Sequence, residues 1–89
     1  MFRIWFKIFH ENRLVKDTVI ENDDITISRT AKIFDALDRA CHEFDLGTPI
    51  WLDSTIKDFK RHDKARFYQD SFIEQIDFDY LEIHVIEED

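Results

Sequence analysis

The chain is poor in the residues that break or staple a backbone: among its 89 residues there are one Gly, one Pro and one Cys. A single cysteine, Cys41, cannot close an internal disulfide, which excludes a disulfide-stapled miniprotein and fits a reducing compartment. With so little Gly and Pro, and no repeat or low-complexity stretch, no linker divides the sequence, so one domain over 1–89 is expected. Apolar runs of about 18 residues are missing too, which leaves nothing to span a membrane as a helix. The opening stretch 1–7 lacks the apolar region and small-residue cleavage site of a signal peptide, so a cytoplasmic location is expected and a membrane partner is not.

What the chain does have is aromatic bulk and acid. Nine Phe, two Trp and two Tyr sit in a sequence that is 44% hydrophobic and 36% charged, with a formal net charge of −8. At this length only about 60–65% of the unfolded surface can be buried, enough for one core. The charge is unevenly placed. Residues 1–20 carry +2, 21–56 carry −5, 57–68 carry +3, and 69–89 carry −8 with no Lys or Arg at all. Such asymmetry implies either an acidic binding face or an acidic segment lying against a basic one within the fold.

Residues 2–9 alternate, with Phe2, Ile4, Phe6 and Ile8 on one side and Arg3, Trp5, Lys7 and Phe9 on the other, the period of a strand. Residues 14–20 form a second strand-like run, joined by a hairpin turn over 10–13. Pairing Phe9 with Leu14 sets Ile8 opposite Val15, Ile4 opposite Val19 and Lys7 opposite Lys16. The Lys7–Lys16 repulsion calls for an acidic neighbouring strand, and the C-terminal segment is the candidate. After a polar loop over 21–28, Ser28 or Thr30 caps a helix whose apolar stripe is Ile33, Phe34, Leu37, Ala40, Cys41 and Phe44. Gly47 is expected as its left-handed C-terminal cap, with Pro49 blocking continuation. A short buried strand is expected at 50–52, then a helix capped by Asp53 or Ser54 and ending near 63. Residues 64–70 carry no clear pattern. One helical turn over 71–75 follows, then a strand from Ile76 with a bulge near Tyr80 and Leu81 that turns both apolar sets to the core. The expected order is β-β-α-β-α-β: an α+β domain with a largely antiparallel sheet of three or four strands and helices packed on one face.

The residues that carry chemistry are few. His10, His42, His62 and His84 stand apart with no metal-ligand spacing, so neither a metal nor a cofactor is expected. Cys41 neighbours His42, but adjacent helical residues diverge by about 100°, and Cys41 lies on the apolar stripe, so an inert buried thiol is expected rather than a nucleophile. Asp77 and Asp79, with Asp53 and Glu82, offer a weak pattern for a metal-dependent enzyme; Glu82-Ile83-His84 lacks the lysine such sites use. Lys57, Lys60, Arg61, Lys64 and Arg66 interleave with Phe59, Phe67 and Tyr68, the mixture that single-stranded nucleic acid requires. The overall −8 opposes a polyanion, so this patch is expected to answer the acidic segment and nucleic acid is not expected as a partner. Trp5 and Phe9, beside Arg3 and Lys7, form an aromatic patch on the strand side away from the core, which implies either a covering layer or a contact with another protein.

Three stretches, Trp5-Phe6-Lys7-Ile8-Phe9, Pro49-Ile50-Trp51-Leu52-Asp53 and Phe78-Asp79-Tyr80-Leu81-Glu82, carry a resemblance over nearly the full length to a group of short, acidic bacterial proteins with no assigned function. The resemblance implies a bacterial cytosolic origin and brings no fold, substrate or site. The expected function is a protein-interaction or regulatory domain without a catalytic centre, whose partner is a protein, a second copy of the chain being the simplest. The alternative is an acidic mimic of nucleic acid that inhibits a DNA- or RNA-binding protein; a metal-dependent enzyme is the third reading.

Overall fold

A computed structural model describes residues 1–88. Asp89, the last acid of the C-terminal segment, lies outside the described residues. Four strands form one antiparallel sheet in the order β2-β1-β4-β3: β1 (Phe2–His10), β2 (Arg13–Asn22), β3 (Lys64–Phe67) and β4 (Tyr80–Glu87). Between β2 and β3 lie α1 (Arg29–Glu43) and α2 (Asp53–His62), and a 3₁₀ turn (Gln69–Ser71) precedes β4. The α+β class, the antiparallel sheet and the helices on one face follow the expectation from the sequence.

The β1–β2 hairpin closes on Glu11 and Asn12, with φ of 52° and 65°. Two consecutive left-handed residues make the two-residue turn whose twist matches the strands it joins. Phe9 pairs with Leu14, as the spacing predicts, but the register then shifts by one, so that Ile8 opposes Lys16, Lys7 opposes Asp17 and Ile4 opposes Ile20. The expected Lys7–Lys16 clash is therefore absent. Asp17 takes that position, and the anticipated acidic neighbour is present as well, because β4 lies on the other side of β1 with Glu82 opposite Lys7.

Residues directly opposed on antiparallel strands point to the same side of the sheet. Phe2, Ile4, Phe6 and Ile8 of β1, Ile20 of β2, Ala65 and Phe67 of β3 and Leu81, Ile83 and Val85 of β4 form the helix-facing side, all of them buried. Each large apolar side chain enclosed there contributes about 1.5–3 kcal/mol of transfer free energy. Against this layer α1 sets Ile33, Ala36, Leu37, Ala40 and Cys41, and α2 adds Phe59. Ser28 caps α1, its hydroxyl accepting the Ala31 N–H at 3.1 Å.

Several expectations are corrected. The third strand lies at Lys64–Phe67, not at 50–52, so the order is β-β-α-α-β-β. Trp51 is instead an aromatic hub, with ring centroids 4.9 Å from Phe67, 5.4 Å from Phe59 and 6.3 Å from Phe34. The α1 stripe is rotated: Ala36 and Lys32 are buried, whereas Phe34 is 50% exposed. Asp45, with φ 60°, takes the left-handed position after α1, and Gly47 has no positive φ. Gly47 donates its N–H to Glu74 Oε1 at 2.7 Å, and a Cβ there would stand 3.2 Å from the same oxygen. Neither Asp53 nor Ser54 caps α2; Leu52 holds that position without a side-chain bond, and Asp53 sits in the first turn. The helical turn falls at Gln69–Ser71, and β4 begins at Tyr80 with its irregularity opposite Arg3 and Ile4. Ile76 and Phe78 still pack against the core from the preceding loop.

Candidate functional site

Both helices lie on one side of the sheet. The other side presents the remaining parity of all four strands, in rows that cross them. At one end is an aromatic row: Leu14 on β2, Phe9 on β1, Tyr80 on β4 and, just past β3, Tyr68. Phe9 and Tyr80 stack at 5.2 Å with 25° between planes, and Tyr68 meets Tyr80 at 5.5 Å. The next row alternates in charge: Asp17, Lys7, Glu82, Arg66. Val19, Trp5, His84 and Lys64 make the third row, and Glu21, Arg3 and Glu87 the fourth.

These rows hold themselves in place. Lys7 Nζ lies 2.8 Å from Glu82 Oε2 and 3.9 Å from the Trp5 ring centroid. Although no helix or strand of the described residues covers them, Lys7 is only 8% exposed and Glu82 only 4%, with the Trp5 ring against Lys7 and Arg66 against Glu82. Arg66 Nε reaches Glu82 Oε1 at 3.3 Å, and the guanidinium lies over the Tyr80 ring at 4.6 Å. Trp5 donates its indole N–H to Asp17 Oδ2 at 2.9 Å. Arg3 stands between Glu21 at 2.7 Å and Glu87 at 3.4 Å. Burial alone would raise the Glu82 carboxyl, but the hydrogen bond and charge of Lys7, followed by Arg66 and Lys64, outweigh it and hold the group below its ordinary value. His84 is pushed down by burial and by Lys64 and Lys7, and so is neutral at pH 7.

The aromatic patch read from the sequence, Trp5 and Phe9 with Arg3 and Lys7, thus lies on one open face. The basic patch divides. Lys64 and Arg66 join that face, while Lys57, Lys60 and Arg61 lie on exposed positions of α2. Between the two parts is a shallow cleft of about 620 Å³ lined by Asp58, His62, Lys64, Ala65, Arg66, Tyr68 and His84. Sequence reasoning missed Tyr68, Tyr80, Glu82 and His84 as members of the face. Their signal is the alternation of Tyr80, Glu82 and His84 with Leu81, Ile83 and Val85.

Among the described residues no three His, Cys, Asp or Glu side chains gather as a metal site. Asp77 and Asp79 are not on a common strand face but in the loop before β4, where Asp79 Oδ2 accepts the Glu11 N–H at 2.8 Å. Cys41 is 1% exposed, and burial first, then Asp38 and Glu74, push its thiol up to about 12, so it is not a thiolate at neutral pH. No helix of the described residues is long and apolar enough to cross a membrane. Comparison of the chain with protein-family models, with curated proteins and with solved structures finds no match in any of the three.

Proposed function

We propose that this chain is a non-catalytic protein-interaction module that docks a protein partner through the open face of its sheet. The observation that supports it is the ordering of that face: rings and ion pairs span all four strands, and no helix or strand of the described residues covers them. A preordered surface of aromatic and charged groups loses little side-chain entropy on contact, which suits protein recognition. A stacking platform for single-stranded nucleic acid needs free ring faces. Here Phe9 and Tyr80 stack on each other, Arg66 also lies over the Tyr80 ring, and the chain carries −8. The mimicry reading draws less support, because Glu21, Glu82, Glu87, Glu88, Asp35 and Asp63 each face an Arg or Lys within the fold, leaving a broken acidic field. A single free thiol, for which the chain offers no disulfide partner, suits a reducing compartment such as the cytoplasm.

Photo-crosslinking tests the reading. A benzophenone amino acid in place of Tyr68 or Val19 should give protein adducts in the cells of origin, and the same group at Ile25 or Ile73, exposed in loops, should not. Adducts confined to the loop positions, or none from the face, would refute the docking surface.

A further inference from the structure

The charge order of the open face points to its occupant. Across the sheet the strands run β2, β1, β4, β3. A two-fold axis parallel to the strands, between β1 and β4, exchanges β2 with β3 and β1 with β4 while leaving each row in its own row. The exposed charges of the second row, and Arg3 in the fourth, then meet groups of opposite sign. Asp17 faces Arg66 of a second copy and Arg3 faces Glu87, all four reaching the surface, while Lys7 and Glu82, enclosed and paired within each chain, lie beneath the contact. In the aromatic row Leu14 faces Tyr68 and Phe9 faces Tyr80; in the third row Trp5 faces His84 and Val19 faces Lys64. The other in-plane axis, across the strands, would set the aromatic row against Glu21, Arg3 and Glu87 and bury charge on rings. Of these two axes, the parallel one keeps the rings against rings and the exposed charges against opposite charge.

From this self-complementarity we infer that the open face takes a second copy of the chain, packed sheet on sheet about that axis. The inference rests on the reading of the open face as a docking surface. Isologous contact of this kind is the commonest way soluble chains associate, and facing sheets pack about 10 Å apart with strands about 30° from alignment. Four strands at about 4.8 Å spacing and about seven residues of length cover roughly 450 Å² on each copy. The total of about 900 Å² lies below the usual range for stable complexes, which predicts a weak, reversible dimer. The acid already neutralised within each face keeps the two −8 chains from repelling across it.

Val19 supplies the sharpest test, since its intramolecular and intermolecular surroundings have opposite signs. On its own strand it lies between Asp17 and Glu21, whereas the two-fold axis sets it against Lys64 of the second copy. Val19→Lys therefore suits the monomer but should raise the dimer Kd about tenfold in a sedimentation-equilibrium series, because two like-charge contacts form per dimer. Val19→Glu burdens the monomer yet should lower Kd several-fold, and Val19→Lys with Lys64→Glu should restore it to within about threefold of the parent. Circular dichroism serves to establish that each variant is folded; Val19 is 45% exposed. A chain that stays monomeric to about 0.5 mM, or a dimer that responds alike to Lys and Glu at position 19, overturns the inference. If it falls while crosslinks at Tyr68 and Val19 capture a different protein, the docking surface stands and only the second copy is refuted; if the face captures nothing, both fall.

Discussion

The two faces of this sheet are built from the same strands and differ in what closes them. On the helix side the rows are apolar, and closure comes from α1, α2 and the Trp51 hub, so each ring or branched chain is removed from water by backbone-anchored neighbours. On the open side closure is lateral. Lys7 and Glu82 are nearly as buried as the core, with the Trp5 ring against Lys7 and the Arg66 guanidinium against Glu82. One face is finished within the chain, and the other is finished only along its own plane. That is the arrangement expected of a surface that waits for a partner, since the charges are already paired and the rings already placed.

The contrast is breakable by substitution, and the effects should fall in a fixed order. Phe6→Ala, at a fully enclosed position on the helix side, should cost about 3–5 kcal/mol in urea unfolding and leave at most a marginal fold. Glu82→Ala leaves Lys7 enclosed without its partner and should cost about 2–3 kcal/mol, less than a deep ion pair because only side chains screen it. The pair also sets an acid limit. Glu82 titrates below its unfolded value of about 4.3, so its contribution is complete above that pH and is lost as pH falls through the lower folded value. His84 acts with the same sign, because the unfolded imidazole takes up a proton more readily than the folded one as pH falls below about 6.5. Unfolding free energy measured from pH 7 to pH 3 should therefore decline, and Glu82→Gln should flatten its lower part. Tyr80→Ala removes the Phe9 stack and the Arg66 contact; about 1–2 kcal/mol of stability should go, together with all partner binding. Smallest of all, Ile73→Ser, at a 94% exposed loop position, should stay within about 0.5 kcal/mol of the parent and leave binding intact.

Periodicity made much of this legible. The two parities of β1 are plain in the sequence, and they separate Trp5, Phe9, Arg3 and Lys7 from the core set correctly. The hairpin is legible as well, down to the Phe9–Leu14 pair. Its later register is not, because the extra residue that slips Lys7 from Lys16 to Asp17 leaves no mark on composition. Asp45 outcompetes Gly47 for the left-handed position because the chain must turn one helical residue after Phe44, before Gly47 is reached. Ile50-Trp51-Leu52 reads as a strand because it is apolar, yet its apolarity serves ring packing rather than a ladder. The same confusion assigns Tyr80 to the core with Ile76 and Phe78, which pack inward from a loop where strand parity does not apply. Convergence of the basic stretch with the aromatic strand is a property of the β1-β4-β3 order, which no local pattern encodes.

The two tryptophans lie on opposite sides of the sheet, which allows the closure of each face to be followed separately. Acrylamide quenching of Trp5 alone, in a Trp51→Phe chain, should weaken as protein concentration rises through the dimer Kd, while Trp51 alone, in a Trp5→Phe chain, should keep one quenching constant throughout. A Trp5 signal that is unchanged over that range, or protection that develops at Trp51 instead, would contradict the account.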